Sequence, residues 1–178
     1  VAAHHLAAPL VEGLDLDPLG RDAALGEHLA HYFADADVAA FGDASPEDLH
    51  GAAVQHHRLG AARQPGQAAV ALYTPDFDRH GWHNSHSVLD IVTDDMPFLV
   101  DSVTQAIYRH GLTIHHIMHP LLGVERDAKG ALSKTHERGS TGSLTESWIH
   151  IEFDRISDPA QVDALRQDVE SVLADVRA

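Results

Sequence analysis

Cysteine is absent from the 178 residues, which excludes disulfides and thiolate zinc sites and is in keeping with a cytoplasmic protein. Basic residues are scarce, 12 Lys and Arg against 27 Asp and Glu, for a formal charge of −15. A field of that sign repels phosphate, so nucleic acid and anionic membrane are poor partners. Long apolar runs are missing too: no stretch approaches the ~18 consecutive apolar residues that a membrane-spanning helix needs. No glycine-rich phosphate loop, nucleophile elbow or Ser/His/Asp arrangement stands out, so no catalytic residue and no cofactor is assigned to the chain. A starting methionine and a cationic-then-apolar leader are also lacking. The chain begins Val1-Ala-Ala-His-His and closes at Ala178 inside a helical pattern. The expectation is an N-terminal piece of something longer.

What the chain does have is histidine, sixteen in all. Protonating every one would move the charge from −15 to +1 (12 + 16 − 27), so colloidal behaviour should change around their pKa values. A metal centre mostly fails on geometry. His115 and His119 share a strand face, but four residues at ~3.3 Å each put them about 13 Å apart, beyond one ion with ~2 Å bonds. His28 and His31 can share a helix face without an evident third ligand. Scattered surface histidines, and no metal, are the expectation.

Length allows one domain, or a domain with an appendage. Residues 1–17 show no clear period and read as loose. From Pro18 to about Ala39, Leu25, Leu29, Tyr32, Phe33 and Ala36 fall at helical spacings. Ser45-Pro46-Glu47-Asp48 announces a second helix, with a serine cap, proline at the first position and an acid at the third. It should run to about Arg63, and its inner face (Leu49, Ala53, Leu59) is thin enough to require a neighbour. Residues 1–66 are therefore read as a helical appendage, and 67–178 as the main domain.

From Ala68 the pattern turns to β. Residues 68–74 form a short run ending at Pro75. Residues 87–93 are apolar on both faces, Leu89 and Ile91 on one and Val88 and Val92 on the other, which suggests a central strand. Asp94 and Asp95 are candidate caps of the next helix, Pro97 sits in its first turn, and Met96, Leu99, Val100, Val103 and Ile107 form its apolar stripe. Gly111 is the expected stop. Leu112–Arg126 is a second strand interrupted by Pro120, placing it at an edge or a bulge. Asp127-Ala-Lys-Gly130 is a turn, and Thr135–Glu146 a mobile loop. Trp148–Ile156 alternates as a half-buried strand, with Ile149, Ile151 and Phe153 inward. Asp158-Pro159-Ala-Gln161 opens a final helix with Val162, Leu165, Val169, Val172 and Val176 buried. The order from residue 87 is β-α-β-β-α, an α+β, ferredoxin-like arrangement. Its vacant fourth edge is assigned to residues 68–74, pairing with 87–93.

The loop between the 87–93 strand and its helix is the candidate effector-binding or interface site: Asp94, Asp95, Met96, Pro97 and Phe98. A helix N-terminus offers free N–H groups suited to a carboxylate, although two aspartates there repel an anion. These acids also serve structurally by offsetting the helix dipole. Asp90, mid-strand between Val88 and Val92, must face solvent, another subunit or a ligand.

Val92-Thr-Asp-Asp-Met-Pro-Phe-Leu-Val-Asp-Ser-Val, His119-Pro120, Arg126-Asp127 and Glu146-Ser-Trp-Ile-His-Ile-Glu-Phe-Asp-Arg155 resemble the N-terminal, ACT-like region of the large bacterial NAD-specific glutamate dehydrogenases. The likeness covers roughly residues 82–156, and residues 1–66 fit only loosely. It implies a parent enzyme that oxidatively deaminates L-glutamate to 2-oxoglutarate with NAD, its catalytic domain lying beyond Ala178. It implies that this region is a non-catalytic regulatory or assembly module, with the parent's other domains as partners and homo-oligomers as its state. The alternative is an amino-acid-sensing module. ACT domains that bind amino acids commonly have Pro-Gly in the first loop, where glycine lets the backbone approach the ligand. Here Phe98 follows Pro97.

Overall fold

The computed structural model describes residues 23–37, 41 and 44–178. The expected loose segment 1–17, and the start of the helix expected from Pro18, lie outside the described residues. The elements are α1 (Ala23–Tyr32), α2 (Pro46–Gly60), β1 (Ala69–Tyr73), the single turn α3 (Phe77–His80), β2 (Ser87–Asp94) and α4 (Leu99–Arg109). They continue with β3 (Ile114–Met118), β4 (Leu121–Arg126), β5 (Leu132–His136), β6 (Leu144–Phe153) and α5 (Pro159–Arg177). The strands form one antiparallel sheet in the order β1-β2-β6-β4-β5, with β3 also on β6.

The ferredoxin-like arrangement is there, and β1 fills its fourth edge. Ala69 pairs with Val92 and Tyr73 with Val88, so the backbone of the buried β2 is matched on both sides. Pro120 splits the expected second strand into β3 and β4, which lie end to end along β6 and are bridged by Trp148 N–H donating to the Pro120 carbonyl. Proline cannot donate to the ladder, so the break falls where the sequence puts it. Asp127 and Gly130 (φ +83°) make the expected turn. The strand that follows it, β5, was not expected: its few apolar residues hide the period. The segment read as a mobile loop gives Thr135 and His136 to β5 and Leu144–Glu146 to β6.

One sheet face carries the main apolar core. Leu89, Ile91, Ile149, Ile151 and Phe153 meet Leu99, Val103 and Ile107 of α4 and Leu165, Val169 and Leu173 of α5. Asp158 caps α5, accepting from Ala160 N–H with Pro159 at the first position, and Gly111 (φ +73°) ends α4. The start of α4 differs from expectation. Neither aspartate caps it, and the N-cap position is Phe98, with no side-chain cap.

The other face is not open to solvent, and β6 is not half-buried: Trp148 and His150 are as buried as Ile149 and Ile151. Helices α1 and α2 cover it, sharing a core in which Leu29, Tyr32, Phe33 and Ala53 pack on Val92, Leu122, Val124 and Trp148. Ser45 caps α2 by accepting from Asp48 N–H, as its sequence promises. Its buried residues are Ala52, Ala53, His56 and Gly60, with Leu49 and Leu59 only partly covered. The small residues Ala52, Ala53 and Gly60 on this face bring the helix close to the sheet. At Gly60 an added Cβ would lie 2.2 Å from the Trp148 ring.

Candidate functional site

The loop picked out in the sequence is exposed only in part. Met96 packs on the apolar core, and Asp95 accepts from Ser147 Oγ at 2.9 Å. Asp94 accepts from Arg63 at 2.8 Å, from Gly66 N–H at 3.0 Å and from Arg177 at 3.2 Å. Desolvation opposes its ionisation, but the Arg63 bond and charge outweigh it and hold the Asp94 carboxyl below its usual range. Both acids are therefore engaged in cross-links rather than offered to a ligand. Phe98 is different. It is the one non-glycine residue with left-handed backbone among the described residues (φ 67°), and the residue is 75% exposed. That conformation costs an L-residue about 1–2 kcal/mol, and glycine would hold it without strain.

A second constellation joins residues far apart in sequence. Asp90 on β2, fully buried, accepts from His150 Nδ1 of β6 at 2.6 Å and from the Tyr73 hydroxyl of β1 at 3.1 Å. His56 of α2 lies above them, its Nδ1 3.8 Å from Asp90 and 2.8 Å from the Tyr32 hydroxyl. Its Nε2 meets the Ile91 carbonyl at 3.0 Å, which places the proton on Nε2 and leaves Nδ1 to accept from Tyr32. His150 Nε2 reaches Glu152 at 3.1 Å. With a carboxylate at each nitrogen, His150 is an imidazolium. Burial works against that charge, but Asp90 and Glu152 prevail and raise its pKa to about 10. Desolvation lowers the pKa of His56, which stays neutral. Asp90 thus faces neither solvent nor another subunit, because α2 and Tyr73 cover it.

A cleft of about 430 Å³ opens between α2 and the sheet beside this cluster. Phe33, Leu49, Trp82 and Met118 line its walls, and His116, His150 and Glu152 lie at its polar end. The histidines are accordingly not all superficial: His28, His56 and His150 are buried. His115 bonds Asp154 at 2.7 Å and stacks on His86, while β3 stops at Met118, before His119. Sequence spacing cannot reveal a cluster drawn from α2, β2 and β6. Its one local signal is Asp90, a charge in an otherwise apolar strand.

Residues 28–169 match the family model for the glutamate dehydrogenase ACT1 domain. The chain belongs to that family. It is 36% identical over 132 residues to the NAD-specific glutamate dehydrogenase of Pseudomonas aeruginosa, covering 73% of this chain and 8% of that protein. The enzyme of the same name from Halomonas elongata is 34% identical over 158 residues, 87% of this chain and 10% of that protein. That of Mycobacterium tuberculosis is 31% identical over 124 residues, 68% and 7%. The chain thus spans a tenth or less of the relatives it matches. Among the described residues no helix is long and apolar enough to cross a membrane.

The motifs that carried the resemblance do structural work in this ACT1 domain. Glu146, fully buried, is gripped by Arg63 and by Arg126, whose Nε and Nη2 donate at 2.8 and 2.9 Å. Arg63 also bridges to Asp94, and Arg177 of α5 joins Asp94 to Thr93. This network ties the segment after α2 to β2, β4, β6 and α5.

Proposed function

We propose that the chain is a non-catalytic regulatory and assembly module of a large NAD-specific glutamate dehydrogenase, in which other domains carry out the NAD-linked oxidative deamination of glutamate. Membership of the ACT1 family and the names of its relatives support the parent activity. NAD, on this reading, binds elsewhere in the parent, and the parent's other domains and further copies of the chain are the partners. Residues 1–66 act as the helical part of the module and 67–178 as its ACT-like part. The whole enzyme works in the cytoplasm.

The observation that carries the assembly reading is Phe98. A strained, exposed aromatic ring occupies the loop position where glycine would admit an amino acid. The neighbouring Asp94 and Asp95 are already bonded within the chain. An exposed aromatic anchor suits a protein contact better than a small polar effector. Calorimetry of the chain against a panel of amino acids should give no saturable heat. In the full-length enzyme, Phe98→Ser should weaken subunit or domain association, seen by light scattering. Saturable binding of one amino acid, with unchanged association of the Phe98→Ser enzyme, would replace this reading with the sensing one.

A further inference from the structure

The ligand atoms of His56, Asp90 and His150 all lie within 4.8 Å of one another. Two features of their surroundings go beyond a buried hydrogen-bond network. First, each imidazole has its outer nitrogen held as metal-bound histidines hold theirs: His56 Nε2 on the Ile91 carbonyl, His150 Nε2 on the Glu152 carboxylate. Such partners orient the ring and leave Nδ1 to face the ion. Second, the carboxylate is anchored through its other oxygen, Asp90 Oδ2, by the Tyr73 hydroxyl, which leaves Oδ1 on the side of both Nδ1 atoms.

We infer that His56 Nδ1, Asp90 Oδ1 and His150 Nδ1 form a binding site for one divalent transition-metal ion of the zinc class. Two imidazoles and a carboxylate are borderline donors of the kind zinc takes, at about 2.0–2.2 Å. Tetrahedral bonds of that length separate the ligand atoms by roughly 3.3 Å. His150 and Asp90, now at 2.6 Å, open slightly, and His56 and Asp90, now at 3.8 Å, close slightly. The ion takes the place of the His150 Nδ1 proton, which leaves to solvent. Tyr32, at 2.8 Å from His56 Nδ1, gives up that bond and stands beside the fourth position. The cleft that reaches His150 and Glu152 is the entry path. The ion's role is structural: it fastens α2 to β2 and β6.

The test uses the chain stripped with a chelator, loaded with Zn²⁺ or Co²⁺ and desalted. One tightly held equivalent per chain and a raised Tm are expected. Asp90→Asn and His56→Gln should each weaken binding at least tenfold. His115→Gln, which breaks up the exposed His86, His115 and Asp154 group, should leave that equivalent in place. An equivalent kept by Asp90→Asn, lost in His115→Gln, or never retained overturns the inference. Because Asp90→Asn can disturb folding, the wild-type cobalt spectrum decides independently. Intense visible bands of four-coordinate Co²⁺ are expected, and a weak six-coordinate spectrum also overturns the site.

Discussion

Gly60 and Gly26 sit in helices where alanine has the same intrinsic advantage, yet the structure predicts opposite outcomes. Replacing a glycine in a helix by alanine gains about 0.5–1 kcal/mol from the unfolded chain. At Gly26 in α1 an added Cβ meets nothing within 4 Å, so Gly26→Ala should keep most of that gain. At Gly60, the last residue of α2, the Cβ would lie 2.2 Å from one Trp148 ring carbon and 2.8 Å from two others. Trp148 cannot yield easily: it is fully buried, with the rings of His28 at 4.8 Å and His56 at 5.1 Å. Overpacking of that kind costs typically ~1–3 kcal/mol, and a contact this short belongs at the upper end. The net loss for Gly60→Ala is about 2 kcal/mol, or roughly 4–8 °C in Tm for a chain of this size. Urea and thermal unfolding measure both variants. If Gly60→Ala is as stable as wild type, α2 does not rest on Trp148 and the second core is wrongly described.

Glu146→Gln should cost ~3 kcal/mol or more in urea unfolding, because it leaves the buried Arg63 and Arg126 facing a neutral amide that carries donors of its own. Burial above all pushes the His28 pKa well below its usual 6.5. On unfolding His28 therefore takes up a proton below pH 6.5, and its share of stability falls by about 1.4 kcal/mol per pH unit as pH drops from there toward its folded pKa. His28→Gln should flatten the stability curve by that slope, and an unchanged slope refutes the buried neutral state. Hydrogen exchange should show α1 and α2 opening at lower free energy than the sheet, α4 and α5; equal protection rejects a division at residue 66. Replacing His56, Asp90 and His150 together by apolar residues of similar volume should leave metal-free stability unchanged or higher by ~1–4 kcal/mol, and a large loss would make the cluster a requirement of the fold.

Legibility in the sequence followed the periodicity of single elements. β2, α4 and α5 were readable because apolar residues recur at the right interval, and the helices that begin at Pro46 and Pro159 because serine and aspartate caps precede those prolines. The β1–β2 pairing was readable as well, since a central strand needs a partner on each side and residues 68–74 were the unassigned segment. What failed was information carried by a second layer. Trp148, His150 and Glu152 alternate with apolar residues and so look solvent-facing, but α1 and α2 cover Trp148 and His150. The same covering turns Asp90 inward, which no local pattern can announce. Asp94 and Asp95 resemble helix caps in sequence, and long-range partners (Arg63, Arg177 and Ser147) claim them instead. Tertiary partners override local preference wherever they form stronger bonds.

The two faces of the sheet therefore differ in kind. The face under α4 and α5 is held mainly by Leu, Ile, Val and Phe, and its buried polar groups, Ser87, Thr93 and Ser147, are uncharged. The face under α1 and α2 buries His28, His56, Asp90, Arg63 and Glu146 among its apolar contacts. Buried charge is weak as a source of stability, since well-packed apolar groups of equal volume commonly do as well or better. What it supplies is direction: Asp90 accepts along defined lines from β1 and β6, and Glu146 from two arginines on separate segments. The bonds of His56 to the Ile91 carbonyl and to Tyr32, with the Arg63–Glu146 pair just beyond the helix, give α2 the same kind of direction. On the proposed reading of the chain as a module that contacts other domains, a helix held in a defined place is an advantage, and the ion inferred above would reinforce it.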